Sequence, residues 1–263
     1  MKSIFFTSLF LLFVSEMYSE NTDYNTSDLS ADWQMKLYDN CKENWQNYWV
    51  LDGLTAKVSN SEKGMNFTAG MKEKNDSSHA VLWSKDVFEG DIKIEFEYTR
   101  LDSENRFVNI LYIYARGTGE GPFTEDISEW NDLRSIPAMR TYYNNMYLLH
   151  ISFAAFKNSG IDSIDYIRIR HYPVEKGKNF NSSTGIPPLI ENTGLFKTGV
   201  PYKITVIKSA KSLYFKIEGE SNKKIYSWDI EGYEIKDIGR IGIRHMCMRS
   251  ALYNNIKVYT KNK

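Results

Sequence analysis

From position 166 the chain reads Tyr-Ile-Arg-Ile-Arg-His-Tyr, and strand alternation sends Ile167 and Ile169 to one face and Tyr166, Arg168, Arg170 and Tyr172 to the other. The second face is a ladder of guanidinium groups and aromatic rings. Such a ladder suits an anionic or polyhydroxylated ligand: arginine grips a carboxylate or sulfate through two parallel hydrogen bonds, and a ring can lie against the C–H face of a sugar. Taken alone, the same alternation also describes the solvated outer face of an antiparallel sheet. The histidines His79, His150, His171 and His245 supply the imidazoles that could move a proton beside such a ligand.

These residues need strands to hold them. Runs bounded by Gly, Asn, Asp or Ser read as strands over 56–58, 65–68, 79–83, 91–100, 107–114, 147–156, 166–172, 202–208, 212–218, 224–229, 239–246 and 251–259. Around a dozen short strands with no sustained helical period predict an all-β sandwich. Segment 33–47 reads as a short helix or turn, and Asp52-Gly53 as a turn. The long interruption 117–146 opens on Gly117, Gly119, Gly121 and Pro122, and then places Ile127, Trp130, Leu133 and Arg134 at helical spacing. A short helix on a long loop is expected there, and a second loop at 173–199 carries Pro187-Pro188. Both loops are candidate walls of a groove, because long ordered loops between strands tend to carry function.

With 263 residues, 33 basic and 33 acidic, the chain has no net charge to draw nucleic acid or an anionic membrane over its whole surface. Any preference for anions must be local. The 18 tyrosines and 14 phenylalanines favour strands and supply rings for a sugar site. Met1-Lys2 and the apolar run 4–14 read as a secretory signal peptide over 1–19, followed by a polar leader and N-terminal segment, 20–47, and a sandwich domain, 48–263. A secreted or periplasmic protein without membrane insertion is expected, since no apolar run reaches the roughly 20 residues a spanning helix needs. Cys41 and Cys247 leave two alternatives open, a disulfide or two buried thiols. Asn25, Asn66, Asn75 and Asn181 begin glycosylation-type triplets, which place them at the surface.

Gly239-Arg240-Ile241-Gly242-Ile243-Arg244 followed by Ala251-Leu252-Tyr253-Asn254-Asn255-Ile256-Lys257-Val258 resembles the closing strands of concanavalin A-like jelly rolls. Together with Ala80-Val81-Leu82-Trp83, Phe88-Glu89-Gly90-Asp91, His150-Ile151-Ser152-Phe153, Ile167-Arg168 and Ile243-Arg244-His245-Met246, the chain is similar to the YesU-like bacterial family of unknown function. The resemblance covers roughly 48–259. It implies a jelly-roll β-sandwich of two curved antiparallel sheets and a role in polysaccharide utilisation on acidic or rhamnose-containing glycans. His150, Arg168 and Arg244 are carried over as matching motif positions.

Given that architecture, parity puts His150 with Ser152, Arg168 with Tyr166, Arg170 and Tyr172, and Arg244 with Arg240, Gly242 and Met246. If the three faces line one concave sheet, a basic groove results, with His150, Arg168 and Arg244 as the catalytic set. Trp83, Tyr142, Tyr166, Arg170, His171, Tyr172 and His245 are its expected substrate contacts. A retaining glucanase needs paired carboxylates on one strand face, and the only acidic pair on a strand, Glu95 and Glu97, lies opposite the apolar Ile92, Ile94, Phe96 and Tyr98. A hydrolase is therefore the least favoured reading. Elimination from an acidic or sulfated oligosaccharide needs a cation at the carboxylate and a histidine or tyrosine base, which this set supplies. The alternative is a module that binds the same ligand without chemistry. No cofactor is expected, although calcium held by backbone and Asp oxygens would leave no linear signature.

Overall fold

The computed structural model describes residues 32–157 and 163–261. The expected signal peptide and the first part of the polar leader, 20–31, lie outside the described residues. Among these the chain forms β1 (Gln34–Asp39), β2 (Trp49–Asp52), β3 (Lys57–Ser61), β4 (Gly64–Thr68), β5 (Ala80–Ser84), β6 (Phe88–Glu89), β7 (Asp91–Arg100) and β8 (Asn109–Gly117). It continues through β9 (Met146–Phe156), β10 (Asp165–Tyr172), β11 (Gly185–Glu191), β12 (Pro201–Lys208), β13 (Ser212–Glu218), β14 (Lys223–Asp229), β15 (Ile238–His245) and β16 (Ser250–Lys261).

Two antiparallel sheets result, as expected for the jelly roll. The first runs β14-β13-β12-β7-β16-β4-β3 with β1 paired to β16, and the second runs β11-β10-β9-β8-β15-β5-β2 with β6 paired to β15. The inward residues of each strand interdigitate in one core: Ile92, Ile94, Phe96 and Tyr98 from β7 face Leu111, Ile113, Ile151, Ile167, Ile169 and Ile243 of the second sheet. Each such side chain contributes about 1.5–3 kcal/mol by leaving water. Glu95 and Glu97 point outward, opposite that row, which bears out their reading as solvated acids.

Two expectations are corrected. Segment 33–47 holds a strand before the expected turn: β1 pairs along the last half of β16, and Trp45–Asn47 forms a 3-10 turn. Its alternation was hard to see because the inward positions are only Leu37 and Asp39, the latter a carboxylate buried to accept from Trp49 Nε1 at 2.8 Å. Loop 173–199 contains β11, which pairs with β10 across a register shift; edge strands and irregularities are where a sheet tolerates Pro187 and Pro188. Loop 117–146 bears out the expected short helical segment as a kinked 3-10 stretch, Ile127–Arg134, broken at Asn131, and adds a short α-helix, Met139–Asn145. Cys41 and Cys247 are both buried free thiols.

Candidate functional site

The second sheet carries the site on the face turned away from the sandwich core. Strand register lines its residues up in two cross-strand rows. One row reads Arg168, Ser152, Ile110, Arg244, Val81 and Asp52, and the next reads Arg170, His150, Tyr112, Gly242, Trp83 and Val50. Neighbours in a row stand close enough for their side chains to touch. Period-two alternation therefore assembles, from six strands, the residue types that the sequence scattered over nearly 200 positions.

Polar contacts knit the rows together. His150 binds the Tyr172 hydroxyl through Nδ1 at 2.7 Å and Ser152 Oγ through Nε2 at 2.6 Å. Burial, then the nearby guanidinium groups of Arg170, Arg244 and Arg168, holds its pKa well below the usual histidine range, so the ring is neutral. Burial first and Tyr112 second push Tyr172 well above the usual phenol range. Arg170 donates to Thr184 Oγ1 at 2.7 Å, Asn181 Oδ1 at 3.0 Å and the Phe180 carbonyl at 3.2 Å, and its guanidinium lies 4.2 Å from the Phe180 ring. Arg168 rests 5.1 Å from the Tyr166 ring, and both are half-buried at the rim.

At the far end of the rows, Asp52 accepts from Trp83 Nε1 and from the Tyr142 hydroxyl, each at 2.7 Å, with Arg134 Nη1 at 3.7 Å. Burial raises its carboxyl pKa even though Arg134, both hydrogen bonds and Arg244 act the other way. Arg244 is 0% exposed and donates through Nη2 to the Pro137 carbonyl at 2.7 Å and to His79 Nδ1 at 3.1 Å. Burial and then Arg244 push His79 down to about 3.

The structure brings eight expected residues to one face: His150, Arg168, Arg244, Trp83, Tyr142, Tyr166, Arg170 and Tyr172. Two are corrected. His245 points into the core, stacked on Phe67 at 4.3 Å and bonded to the Tyr253 hydroxyl at 2.7 Å. His171 shares the inward parity of Ile167 and Ile169 and packs 5.0 Å from the Tyr233 ring. The open groove is corrected too. Segment 117–146 and Phe180 cover the face, and Ile127, Trp130, Tyr142 and Met139 make a second apolar cluster with Trp83, Ile110, Tyr112 and Tyr172. Tyr142 is thus a fastener of this cover, and Arg170 anchors the turn at Phe180–Ser183.

Sequence reasoning missed Asp52, Tyr112, Arg134 and Gly242. Asp52 looked like the first half of a turn because Gly53 follows it. Gly242 did carry a signal, standing at the same parity as Arg240 and Arg244. Among the described residues no group of three or more His, Cys, Asp or Glu side chains could hold a metal ion, and no helix is long and apolar enough to cross a membrane.

No curated protein matches the chain. Solved structures do. A protein of unknown function with a galectin-like fold from Bacillus subtilis superposes with a TM-score of 0.63 at 16% identity, over 88% of this chain and 100% of that one. The exoplasmic/lumenal domain of VIP36, in its form bound to Ca2+ and Man3GlcNAc, gives 0.57 at 11% identity, over 88% and 91%. The lectin UEA-II in complex with galactose gives 0.55 at 10% identity, over 87% and 100%. At these identities the likeness concerns the fold, and it bears out the concanavalin A-like jelly roll. The family model described as a domain of unknown function, DUF1961, matches residues 36–258, and the chain belongs to that family.

Proposed function

We propose that the protein binds an acidic saccharide on the outer face of the second sheet, with Arg168 and Tyr166 as its solvent-facing contacts. One observation carries this reading. Arg168, Arg170 and Arg244 share the face, and among the described residues none of them has a carboxylate partner; their contacts are hydroxyls, carbonyls, an amide, an imidazole, a thioether and rings. The other arginines that are buried or close to it are paired: Arg100 and Arg249 with Asp102, Arg134 with Asp52, Arg240 with Asp126. Buried guanidinium groups without counter-ions are costly. A ligand carboxylate or sulfate offsets that cost, and arginine takes either one through two parallel bonds.

Two proteins of similar fold are named with saccharides bound, which supports sugar as the ligand class. The apolar leader at 4–14 supports export, to the periplasm or beyond the cell. Calorimetric titration with matched acidic and neutral oligosaccharides tests the reading. Saturable binding of the acidic member that weakens with added salt is expected. Equal affinity for the neutral member, or no binding of either, overturns it.

The contact between His150 Nδ1 and the Tyr172 hydroxyl, beside Arg170, favours one second reading: proton abstraction next to a uronate carboxylate, with loss of the adjacent glycosyl group or water. Growth of the ultraviolet band of an unsaturated uronate, lost in His150→Ala, would establish elimination in place of binding alone.

A further inference from the structure

We infer that Arg244 forms a second anion subsite on this face, sealed by the Pro137–Tyr142 stretch and opened when Tyr142 lets go of Asp52. The inference rests on the proposed binding of an acidic saccharide and names where a second acidic group of that ligand would sit. Arg244 is completely buried, and its Nη1 has no hydrogen-bond partner. Its Nε has only the Met246 sulfur at 3.4 Å. A fully enclosed guanidinium with one orphaned nitrogen and no carboxylate bonded to it, Asp52 acting on it only at longer range, is a receptor holding neutral substitutes, here the Pro137 carbonyl at 2.7 Å and His79 Nδ1 at 3.1 Å. A carboxylate or sulfate taking Nη1 and Nη2 together would give the orphaned Nη1 a partner and set a charged acceptor in place of neutral ones.

Ion pairs of Asp126 with Arg240 and of Glu125 with Arg116 fix the upstream part of the cover, and around Arg244 it is held by a smaller set of polar contacts. Tyr142 donates to Asp52 and lies 5.2 Å from the Arg244 guanidinium, Arg134 faces the same carboxylate at 3.7 Å, and Pro137 occupies Arg244. Upstream, Gly119 and Gly121 have φ of 81° and 57° with little around them, and Asn131 at φ 46° breaks the 3-10 segment. Leu133 and Ile136 expose apolar surface on the cover itself. Arg168 and Arg244 belong to the same cross-strand row, three strands apart, which is about 14 Å at ~4.8 Å per strand. One acidic group cannot serve both. The ligand class is therefore a saccharide with acidic groups on at least two sugar residues, met first by Arg168 at the rim and then by Arg244 beneath the cover.

Hydrogen exchange of the whole protein, with and without a diuronate tetrasaccharide or a single uronic acid, reads the opening directly. The two-acid ligand is expected to raise exchange across 127–145, and the single acid is not. Tyr142→Phe, which removes the bond to Asp52, is expected to bind the two-acid ligand about threefold to tenfold tighter. Arg244→Met, close in shape and without the charge, is expected to bind both ligands alike. Binding of the two-acid ligand with unchanged exchange over 127–145, or with undiminished preference in Arg244→Met, overturns the sealed subsite and leaves the Arg168 site standing. Failure of every acidic saccharide to bind overturns both.

Discussion

The indole of Trp83 lies across Gly242, its register partner on the neighbouring strand, so that a Cβ at position 242 would stand 2.6 Å from Trp83 Cε3. The missing side chain lets the ring reach Tyr112, stacked at 5.5 Å with planes 12° apart, while Nε1 donates to Asp52. One glycine thereby sets the aromatic floor of the site. Gly242→Ala is expected to displace the indole and to destabilise the fold by about 1–3 kcal/mol, as overpacking does. Urea denaturation of variant and wild type checks it, and an unchanged midpoint would show that the ring has room to move.

Arg168 differs from the other arginines of its face in being half-buried and held only by a ring contact. Arg168→Ala is expected to leave stability within about 0.5 kcal/mol of wild type, as for a surface change. It should weaken acidic saccharide binding by about tenfold, equivalent to about 1.4 kcal/mol. Calorimetry beside thermal denaturation separates the two effects. Lost stability with intact affinity would assign Arg168 to the scaffold.

Arg249 illustrates the opposite situation. It is fully buried, pairs with Asp102 at 3.3 Å, and donates to Asn109 Oδ1 at 3.2 Å and the Ala154 carbonyl at 2.8 Å. Two more carbonyls, of Glu104 and Arg106, accept from Nη1 at 3.2 Å each. Arg249→Leu is expected to cost about 3–5 kcal/mol, because it strands buried acceptors rather than removing a surface charge. A denaturation midpoint near that of wild type would contradict it.

Burial of the imidazoles fixes the sign of the pH response. His79 and His245 are each pushed down to about 3, by burial first and by Arg244 and Arg249 second, and His150 and His171 shift the same way, mainly through burial. Below the ordinary value of 6.5 the unfolded chain takes up protons that the native chain refuses. Stability is therefore intact above that pH and falls as pH drops toward 3, by up to about 1.4 kcal/mol per pH unit for each buried histidine. Asp52 acts in reverse, since its raised carboxyl is relieved by protonation, but it is one group against four. Urea midpoints measured between about pH 7 and pH 4.5 should fall steadily. A flat or rising profile would contradict the burial of these rings.

Much of the sandwich was legible because alternation is a local property of the chain. The inward Ile167 and Ile169, the outward Arg168, Arg170 and Tyr172, and the solvated Glu95 and Glu97 all follow from period two and a buried face. Bulges break that rule without a clear signal. Tyr114, at φ 58°, sits at a register shift of β8 and turns into the core, where it donates to the Gly90 carbonyl, instead of joining Tyr112 outside. Ala154 at φ 43° does the same for the end of β9. Edge strand β11 was hidden by its prolines, and β1 by an inward carboxylate.

Residue order alone thus decided that this chain makes a β-sandwich, to which its family resemblance added the jelly roll, and that a cationic, aromatic ladder would stand on one side of a strand. It did not decide what lies over that ladder. The bond between Asp52 and Tyr142 joins residues 90 positions apart, and the cover that Tyr142 fastens turned an expected groove into an enclosed cluster. Alternation reports only which way a side chain leaves its own strand. Whether it then meets water, a ring or a carboxylate depends on where distant loops come back to rest, and that is settled only when the whole chain packs.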